Sequence, residues 1–429
     1  MGRGCDTARP ISAPADWMDR MPTDVQPGRE MIDQVRHIPI YQKSLEKGHF
    51  PILEKSDIAA GFPDNWMTPQ LSEALADGRA EYVWSTGTNH ARMRLIRPPL
   101  FLLKSYYRLW SEHPDIKHTW AQGCHRVSLT TVLATEHVAR VNAAKTGAEP
   151  QARPALADRR LDDRTVYLNL NLDPALWDRA EVERMLIEID QVRDTHPLGW
   201  YHLDCSSYHL AHLVRKAQEF DLWHRFPRPA SIIHAYEYTP AGVGAYLREH
   251  FDCPVIDLFG STELGYLYYN DRVGDYHPYL HEMNVELVPL QDDVFSIIIS
   301  SVRNPYMPLI RYRTGDCAQT TDGSADPAKV RRFCGREKEL LRVGDRLISQ
   351  AHLDDWIHEV VPGVFTYQLH VWPGRAAGLR YTTFDGRPGD PVKLAETVSA
   401  RTGLNCAAEH TQHIPIGRSG KYAWLINES

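Results

Sequence analysis

The stretch Leu258-Phe259-Gly260-Ser261-Thr262-Glu263 says most about the fold of this chain, because it does not stand alone. It is followed by Tyr312-Arg313-Thr314-Gly315-Asp316, by Gly335-Arg336-Glu337-Lys338 and, near the carboxyl end, by Gly420-Lys421. Each fragment taken singly is weak evidence. Their order along the chain, and the predicted strands and turns on which they fall, make them informative together.

Length and composition limit the class of protein. A chain of 429 residues exceeds the usual size of one hydrophobic core, so two or more domains are expected. The net charge of -7 argues against a nucleic-acid-binding surface, and no apolar run is long enough to span a bilayer. The start of the chain lacks the apolar core of a signal peptide, and the seven cysteines are scattered. A cytoplasmic protein without a membrane or nucleic-acid partner is therefore expected.

Strands alternate with helices between Thr165 and Leu258, which predicts a mostly parallel sheet covered by helices. Within this part, Asp173-Pro174 is expected to start a helix, and residues 144–163 to form a polar surface loop. After Glu263 the pattern changes to that of successive strands, with Asp316 in a turn.

From Lys338 onward the pattern predicts a small α+β unit, with a hairpin turning at Gly344-Asp345. The fold class is therefore mixed α/β. A large amino-terminal domain with helix-covered sheets is expected over residues 1–336, and a small, mobile carboxyl-terminal α+β domain over residues 338–429, with a hinge near Lys338.

Glu263 follows an apolar strand, where ligand sites of α/β sheets usually lie. Its carboxylate could bind Mg²⁺, and the Ser261 and Thr262 hydroxyls could donate to phosphate. The alternative is a capping box at the start of a helix, a common use of the same residue types.

Three further residues have the chemistry that nucleotide binding requires. The Asp316 carboxylate could accept both ribose hydroxyls, the Arg336 guanidinium could reach ribose or phosphate, and Lys421 on a glycine-flanked loop could neutralise charge on the α-phosphate. The alternatives are an aspartate in a simple turn, an ion-paired surface arginine and an exposed lysine.

A loop after Glu81-Tyr82-Val83-Trp84 is the candidate for binding the β- and γ-phosphates. Ser85, Thr86, Gly87 and Thr88 would supply hydroxyls and backbone N–H groups. The continuation, Asn89-His90-Ala91-Arg92-Met93-Arg94, is not the expected glycine-rich segment ending in lysine, and Arg92 or Arg94 could supply the missing charge.

From about Tyr82 to the carboxyl end, these fragments together resemble the adenylate-forming enzymes, which activate a carboxylic acid with ATP as an acyl-AMP. Met307-Pro308-Leu309-Ile310-Arg311-Tyr312, which continues into the Asp316 fragment, is similar to the phenylacetate–coenzyme A ligase branch. The resemblance implies ATP and Mg²⁺ as cofactors, with Phe259 packing on adenine, Lys338 at the domain hinge and Lys421 as the adenylation lysine. It assigns the phosphates to Ser85, Thr86, Gly87 and Thr88, Mg²⁺ to Glu263, ribose to Asp316 and closure of the large domain to Arg336.

The resemblance also assigns residues by position within two segments. Glu237, in His234-Ala235-Tyr236-Glu237-Tyr238, stands where the family has an adenine-binding glutamate. Ala235, Tyr236, Gly260 and Tyr266 would line the acid pocket, and an aromatic acid follows from the branch together with Tyr236, Tyr238, Tyr266 and Tyr268. The acceptor would be coenzyme A or the pantetheine of an acyl carrier protein, passing Gly344. Homodimers are common in this branch.

The sequence also allows other functions. The acceptor could be an amine or another nucleophile, as in tailoring enzymes of secondary metabolism. The chain could instead bind a nucleotide or a small acid without catalysis, since the phosphate loop departs from the family pattern. The pairs His202-x-x-Cys205 and His250-x-x-Cys253 have spacings that could hold zinc, although they are poor matches to known zinc modules.

Overall fold

A computed structural model describes residues 27–84, 93–374 and 376–428 of the chain. These residues form twelve α-helices. In chain order the helices α1 to α12 are Arg29–Val35, Gln42–Lys47, Lys55–Ala59, Pro69–Ala76, Phe101–Glu112, Lys117–Ala121, Val132–Thr146, Arg179–Arg193, Ser207–Glu219, Ala241–His250, Gln350–Val360 and Pro391–Thr402.

The same residues form nineteen β-strands. In chain order the strands β1 to β19 are Glu81–Trp84, Arg94–Arg97, His125–Leu129, Thr165–Tyr167, Tyr201–Cys205, Ser231–His234, Val255–Ser261, Gly265–Asn270, Tyr276–Pro278, Met283–Gln291, Val294–Ser301, Leu309–Thr320, Val330–Arg336, Leu341–Val343, Arg346–Ile348, Val364–Val371, Ala376–Thr383, Asn405–His410 and Leu425–Asn427.

The chain divides into two compact units, and each is built from separate segments. Residues 113–257 and 339–428 form the parallel-sheet unit, and residues 27–112 and 258–338 form the antiparallel-sheet unit. The division falls within β7, after Asp257, and again at Lys338, the predicted hinge. Rotation of residues 338–429 as a mobile domain stays a prediction.

The parallel-sheet unit contains the predicted parallel sheet, in the order β4-β3-β5-β6-β7. Apolar side chains of its strands form one core with those of α8, α9 and α10, as expected for a parallel sheet covered by helices. Leu203, Ile232 and Leu213 are fully buried in this core. The prediction of a helix-covered parallel sheet is confirmed.

Residues 339–428 add a second sheet, ordered β18-β17-β16-β19, with α11 and α12 beside it. The hairpin of β14 and β15 turns at Gly344-Asp345, as predicted. Asp354 of α11 accepts hydrogen bonds from the Tyr238 hydroxyl at 3.0 Å and from Ala241 N at 2.8 Å. Because Ala241 is the first residue of α10, this fully buried carboxylate caps the helix and joins the two segments of the unit.

The antiparallel-sheet unit is built around the sheet β10-β11-β12-β13, in which all neighbours are antiparallel. The end of β7 pairs with β8, and β8 with β9, in a second antiparallel arrangement. Phe295, Ile297 and Tyr312 lie in its core with residues from the amino-terminal helices. The predicted succession of strands after Glu263 is confirmed.

Several local predictions were wrong. Asp173 caps only a short 3-10 turn, and α8 begins at Arg179, where the Asp178 side chain accepts a hydrogen bond from Glu181 N. The segment 144–163 is not simply a surface loop, because Arg159 is 1% exposed and paired with Glu188. Asp316 lies within the continuous strand β12 rather than in a turn.

No described helix is long and apolar enough to cross a membrane.

Candidate functional site

The predicted site residues fall on both units. In the antiparallel-sheet unit, Glu263 lies in the tight turn between β7 and β8. The capping-box alternative is wrong, because β8 and not a helix follows, and the Ser261 hydroxyl accepts a hydrogen bond from Leu264 N at 3.3 Å within the turn. This turn therefore holds Glu263 at the end of an apolar strand, as the sequence predicted.

Glu263 is 7% exposed, and its carboxylate has two polar neighbours. The Tyr312 hydroxyl donates to Glu263 Oε1 at 2.8 Å, and Lys55 Nζ lies 3.9 Å from the same oxygen. A buried carboxylate is stable only with such partners. These contacts fix the orientation of the side chain before any ligand binds.

Close packing of two strands explains why position 260 is a glycine. A Cβ atom there would lie 2.5 Å from Gly265 O and 2.8 Å from the Tyr266 Cα, so only glycine lets β7 and β8 approach this closely. The neighbouring Phe259 ring stacks face to face on Phe333, with centroids 3.7 Å apart. One face of Phe259 is thus covered by protein.

Asp316 and Arg336, both assigned to the nucleotide by resemblance, are register partners across β12 and β13. Arg336 Nε lies 3.8 Å from Asp316 Oδ1, and both side chains are partly exposed. Opposite charges at a cross-strand position stabilise the pairing and hold both groups on one sheet. Fragments that the sequence separates are brought together here.

The residue before the predicted hinge is fixed by ion pairs. Arg313 Nε donates to Glu337 Oε1 at 3.0 Å, and Arg313 Nη1 donates to Glu54 Oε1 at 3.1 Å. The Ser296 hydroxyl also donates to Glu337 Oε1, at 2.5 Å. Lys338, the next residue, is exposed, so the predicted hinge begins directly after an anchored side chain.

In the parallel-sheet unit, Lys421 lies close to the predicted adenine and acid residues. Its Nζ donates a hydrogen bond to the main-chain oxygen of Tyr236. Glu237 follows, and it accepts a hydrogen bond from the Ser206 hydroxyl. Burial raises the pKa of Glu237, an effect that the charge of Lys421 opposes. The structure therefore brings Lys421, Tyr236 and Glu237 together.

Tyr236 has an unusual backbone conformation, with φ of 85°. This left-handed region costs a residue with a side chain about 1–3 kcal/mol, and such strain persists only where the surroundings impose it. Next to it, Ala235 is buried, and its N–H donates to Cys205 O at 3.1 Å. Backbone strain at a segment already assigned to ligand binding is typical of functional sites.

The loop that carries Lys421 is packed tightly at Gly420. This residue has φ of 73°, and a Cβ atom would lie 2.8 Å from Thr131 Cβ. Thr131 directly precedes α7, so its position is fixed by the helix. Gly420 therefore sets the path of the chain immediately before Lys421.

Other predicted residues have simpler surroundings. Tyr266 N donates to the Ser105 hydroxyl at 3.1 Å, and its ring packs against Tyr106 with centroids 4.8 Å apart. Tyr268 is fully buried, and its hydroxyl donates to Pro327 O, so its ring belongs to the core of its unit rather than to an acid pocket. Gly344 occupies the hairpin turn, and its role in passing a thiol stays a prediction.

The predicted phosphate loop, Ser85, Thr86, Gly87 and Thr88 with Arg92, lies outside the described residues. Arg94, at the start of β2, is described. Its guanidinium lies 5.0 Å from the Tyr82 ring centroid and 5.3 Å from that of Phe62. The charge of Arg94 is thus held against aromatic rings at the start of β2.

Sequence reasoning missed a buried ion pair beneath Tyr236. Arg126 Nε donates to Asp204 Oδ2 at 2.8 Å, and the Tyr236 hydroxyl donates to the same oxygen at 2.8 Å. Asp204 is fully buried, and Arg126 is 4% exposed. The available signal was one charge of each sign on β3 and β5, because charges in covered strands need partners.

The described residues contain no group of three or more His, Cys, Asp or Glu side chains that could hold a metal ion. The His202 ring is bonded to the Ser231 and Thr119 hydroxyls instead, so the zinc spacing is not realised among these residues. A single carboxylate such as Glu263 nevertheless fits Mg²⁺, which commonly binds through one or two carboxylates together with substrate phosphates.

No protein-family model and no curated protein sequence matches this chain. Solved structures do resemble it. The similarity to 2-hydroxyisobutyryl-CoA ligase in the postadenylation state, in complex with R3-HIB-AMP, has a TM-score of 0.63 at 12% identity and covers 93% of this chain and 87% of that chain.

Two other solved structures are similar over less of their length. Anthranilate CoA ligase AuaEII, in complex with anthranoyl-AMP, has a TM-score of 0.51 at 13% identity, covering 79% of this chain and 65% of that chain. Amide bond synthetase McbA from Marinactinospora thermotolerans has a TM-score of 0.50 at 14% identity, covering 79% and 66%. The chain thus shares a mixed α/β fold with these solved structures, including a small carboxyl-terminal α+β region, and the predicted fold class is confirmed.

Proposed function

We propose that this protein activates a carboxylic acid with ATP as an acyl-AMP, with release of pyrophosphate, and then transfers the acyl group to a thiol. The observation that carries the proposal is the contact of Lys421 with Tyr236, next to Glu237, since residues from distant fragments meet there as the resemblance to adenylate-forming enzymes requires. The fold shared with 2-hydroxyisobutyryl-CoA ligase supports it.

In the first half-reaction a carboxylate oxygen attacks the α-phosphorus of ATP, and the bond to pyrophosphate breaks. Lys421 neutralises negative charge on the α-phosphate and the acyl oxygen as that charge develops. Asp316 accepts hydrogen bonds from the ribose hydroxyls, and Arg336, its partner across the strands, binds ribose or phosphate. Positioning of this kind supplies most of the rate enhancement in phosphoryl and nucleotidyl transfer.

Glu263 would hold Mg²⁺, and the cation would neutralise charge on the phosphates of ATP. The partners of this carboxylate suit that role. Tyr312 and Lys55 both contact Oε1, which orients the side chain. Loss of the carboxylate charge should therefore weaken binding of Mg²⁺–ATP more than binding of adenosine.

In the second half-reaction a thiol sulfur attacks the acyl carbonyl, AMP leaves, and the thiol proton passes to solvent. The thiol would belong to coenzyme A or to the pantetheine of a carrier protein. By resemblance, residues after Lys338 would rotate between the half-reactions, and Gly344 would line the path of the pantetheine.

We further propose an aromatic acid as substrate, following the phenylacetate–coenzyme A ligase branch that Met307 to Asp316 resembles. The side chains of Tyr236 and Tyr266 support it, since both are at least partly exposed. Flat aromatic faces favour stacking with an aromatic ligand.

Acid-dependent exchange of pyrophosphate into ATP tests the proposal. A panel of benzoic, phenylacetic, cinnamic, amino-aromatic and aliphatic acids would be compared, with Lys421→Ala as the inactive variant and Lys393→Ala, an exposed lysine on α12, as the matched control. We expect exchange with at least one acid, loss of about 100-fold or more in Lys421→Ala and none in Lys393→Ala. Exchange that is equal in Lys421→Ala would contradict the assigned role.

The acceptor is tested by product analysis. The acid found active would be incubated with ATP and coenzyme A, with a pantetheine-bearing carrier protein, or with a primary amine. A thioester product supports the proposal. An amide formed in preference to a thioester would instead assign the chain to amide-forming enzymes.

A further inference from the structure

Three side chains, Arg126, Asp204 and Tyr236, are joined pairwise by hydrogen bonds. Asp204 Oδ2 accepts from Arg126 Nε and from the Tyr236 hydroxyl, both at 2.8 Å. Arg126 Nη2 also donates to the Tyr236 hydroxyl, at 3.1 Å. The phenol therefore both donates and accepts, so removal of its oxygen alone breaks two contacts.

The two charged members lie inside the parallel sheet of the unit. Arg126 lies on β3 and Asp204 on β5, central neighbours in the parallel sheet. Both are almost completely buried. Buried ion pairs are weak evidence of stabilisation, because apolar side chains of similar volume usually serve a core as well, which points to another reason for placing charge here.

That reason lies at the other end of Tyr236. Its hydroxyl is held by the ion pair, while its main-chain oxygen accepts from Lys421 Nζ. Tyr236 itself has φ of 85°, a conformation that tyrosine adopts only under constraint. The hydrogen bonds of its hydroxyl and of its main-chain oxygen both act on this strained residue.

We propose that Asp204 and Arg126 are positioning residues, which act through the Tyr236 hydroxyl to hold its carbonyl where it receives Lys421. This extends the proposed function to residues that touch neither ATP nor acid. The geometric part of the inference concerns only the position of Lys421. The kinetic part rests on the proposed function.

The geometric part is tested by competitive acetylation of lysines with acetic anhydride, read by mass spectrometry. In the native protein the hydrogen bond to Tyr236 should slow labelling of Lys421. We expect labelling to rise roughly three- to tenfold in Tyr236→Phe, since a lost hydrogen bond changes an equilibrium by about that factor. Lys216 and Lys393 in the same unit serve as internal standards.

The matched control is Tyr246→Phe. Its hydroxyl donates to Gln218 at 2.9 Å near the surface of the same unit. Labelling of Lys421 should be unchanged in this variant. Equal labelling in Tyr236→Phe and the native protein would overturn the proposal. Asp204→Asn should act in the same direction as Tyr236→Phe, and if it fails to fold, Tyr236→Phe decides alone.

The kinetic part uses pyrophosphate exchange with the active acid. Tyr236→Phe should lower kcat about three- to tenfold and leave the KM for ATP unchanged, because a mispositioned lysine affects charge stabilisation rather than nucleotide binding. A fall in stability alone would change neither kcat nor the KM for ATP of the folded protein. If labelling rises while the native protein shows no exchange with any acid, the proposed function fails and the positioning of Lys421 stands.

Discussion

Asp316 and Arg336 face each other across β12 and β13, with 3.8 Å between Asp316 Oδ1 and Arg336 Nε. The two residues come from separate fragments of the sequence, and the antiparallel register places them opposite each other. Each limits the freedom of the other before nucleotide arrives. Preorganisation of this kind reduces the entropy lost on binding.

Asp316→Asn should lower the affinity for ATP by about 10- to 100-fold, because hydrogen bonds to a charged group contribute about 1.5–3 kcal/mol. Isothermal titration calorimetry with ATP measures the change. Asp322→Asn is the control, since this exposed aspartate of the same unit is bonded to Lys329 and to Ser324 at the surface. Unchanged affinity in Asp316→Asn would exclude Asp316 from the nucleotide site.

Gly420→Ala should reduce pyrophosphate exchange at least tenfold, because the new Cβ would lie 2.8 Å from Thr131 Cβ and would displace the loop before Lys421. Gly403→Ala is a matched control. It has φ of 75°, close to the 73° of Gly420, but nothing lies within 4 Å of its Cβ position. Both variants should lose about 1–2 kcal/mol from the left-handed conformation. Equal exchange in the two would contradict the role of this contact.

The free energy of unfolding should fall as the pH drops below about 6.5, the ordinary histidine pKa. Burial lowers the pKa of His202, His209 and His234 to about 3. Between these values the unfolded chain binds protons that the folded chain does not, so stability is complete above pH 6.5 and decreases as the pH falls. Each histidine contributes up to about 1.4 kcal/mol per pH unit.

His209→Leu should reduce the dependence of the unfolding free energy on pH by the contribution of one histidine, as measured by urea unfolding at pH 7, 6 and 5. His209 lies on α9, and its ring is fully buried beside Trp177, so leucine is tolerated there. His224→Leu, at an exposed position in the same unit, should keep the slope of the native protein. Identical slopes in all three proteins would contradict the prediction.

Glu188→Gln should destabilise the protein by about 3–5 kcal/mol, because it leaves the buried charge of Arg159 without its carboxylate. Arg159 also donates to Tyr167 O at 2.9 Å, so it ties the segment after α7 to the parallel sheet. Urea unfolding measures the loss. Glu183→Gln on the same helix, a 37% exposed side chain, should change stability by less than about 1 kcal/mol.

The sequence predicted much of the fold because local signals were strong where strands alternate with capped helices. α9 is an example, since the Ser206 hydroxyl caps it by accepting a hydrogen bond from His209 N. The sequence did not predict the strands that contain several polar residues. β3 starts with His125-Arg126, and β18 contains Glu409 and His410, so neither reads as an apolar run. Pairing with neighbouring strands, which depends on distant residues, overrides such weak local preferences.

The candidate site was predicted only in part, for a similar reason. Glu263 and Lys421 belong to short fragments whose glycine turns are visible in the sequence. The Arg126–Asp204 pair depends on the parallel register of β3 and β5, which no local pattern specifies. Tyr236 was assigned from its place beside Glu237, but its left-handed backbone follows from tertiary contacts.

The division of the chain has a consequence for protein synthesis. Residues 113–257 leave the ribosome before residues 339–428, although both belong to one compact unit. Phe365, from the later segment, joins the core formed by the earlier one. A nascent chain that ends near Lys338 therefore exposes apolar surface that residues 339–428 later bury. Such delayed, long-range closure slows folding, and exposed apolar surface of this kind favours aggregation until the later segment has been made.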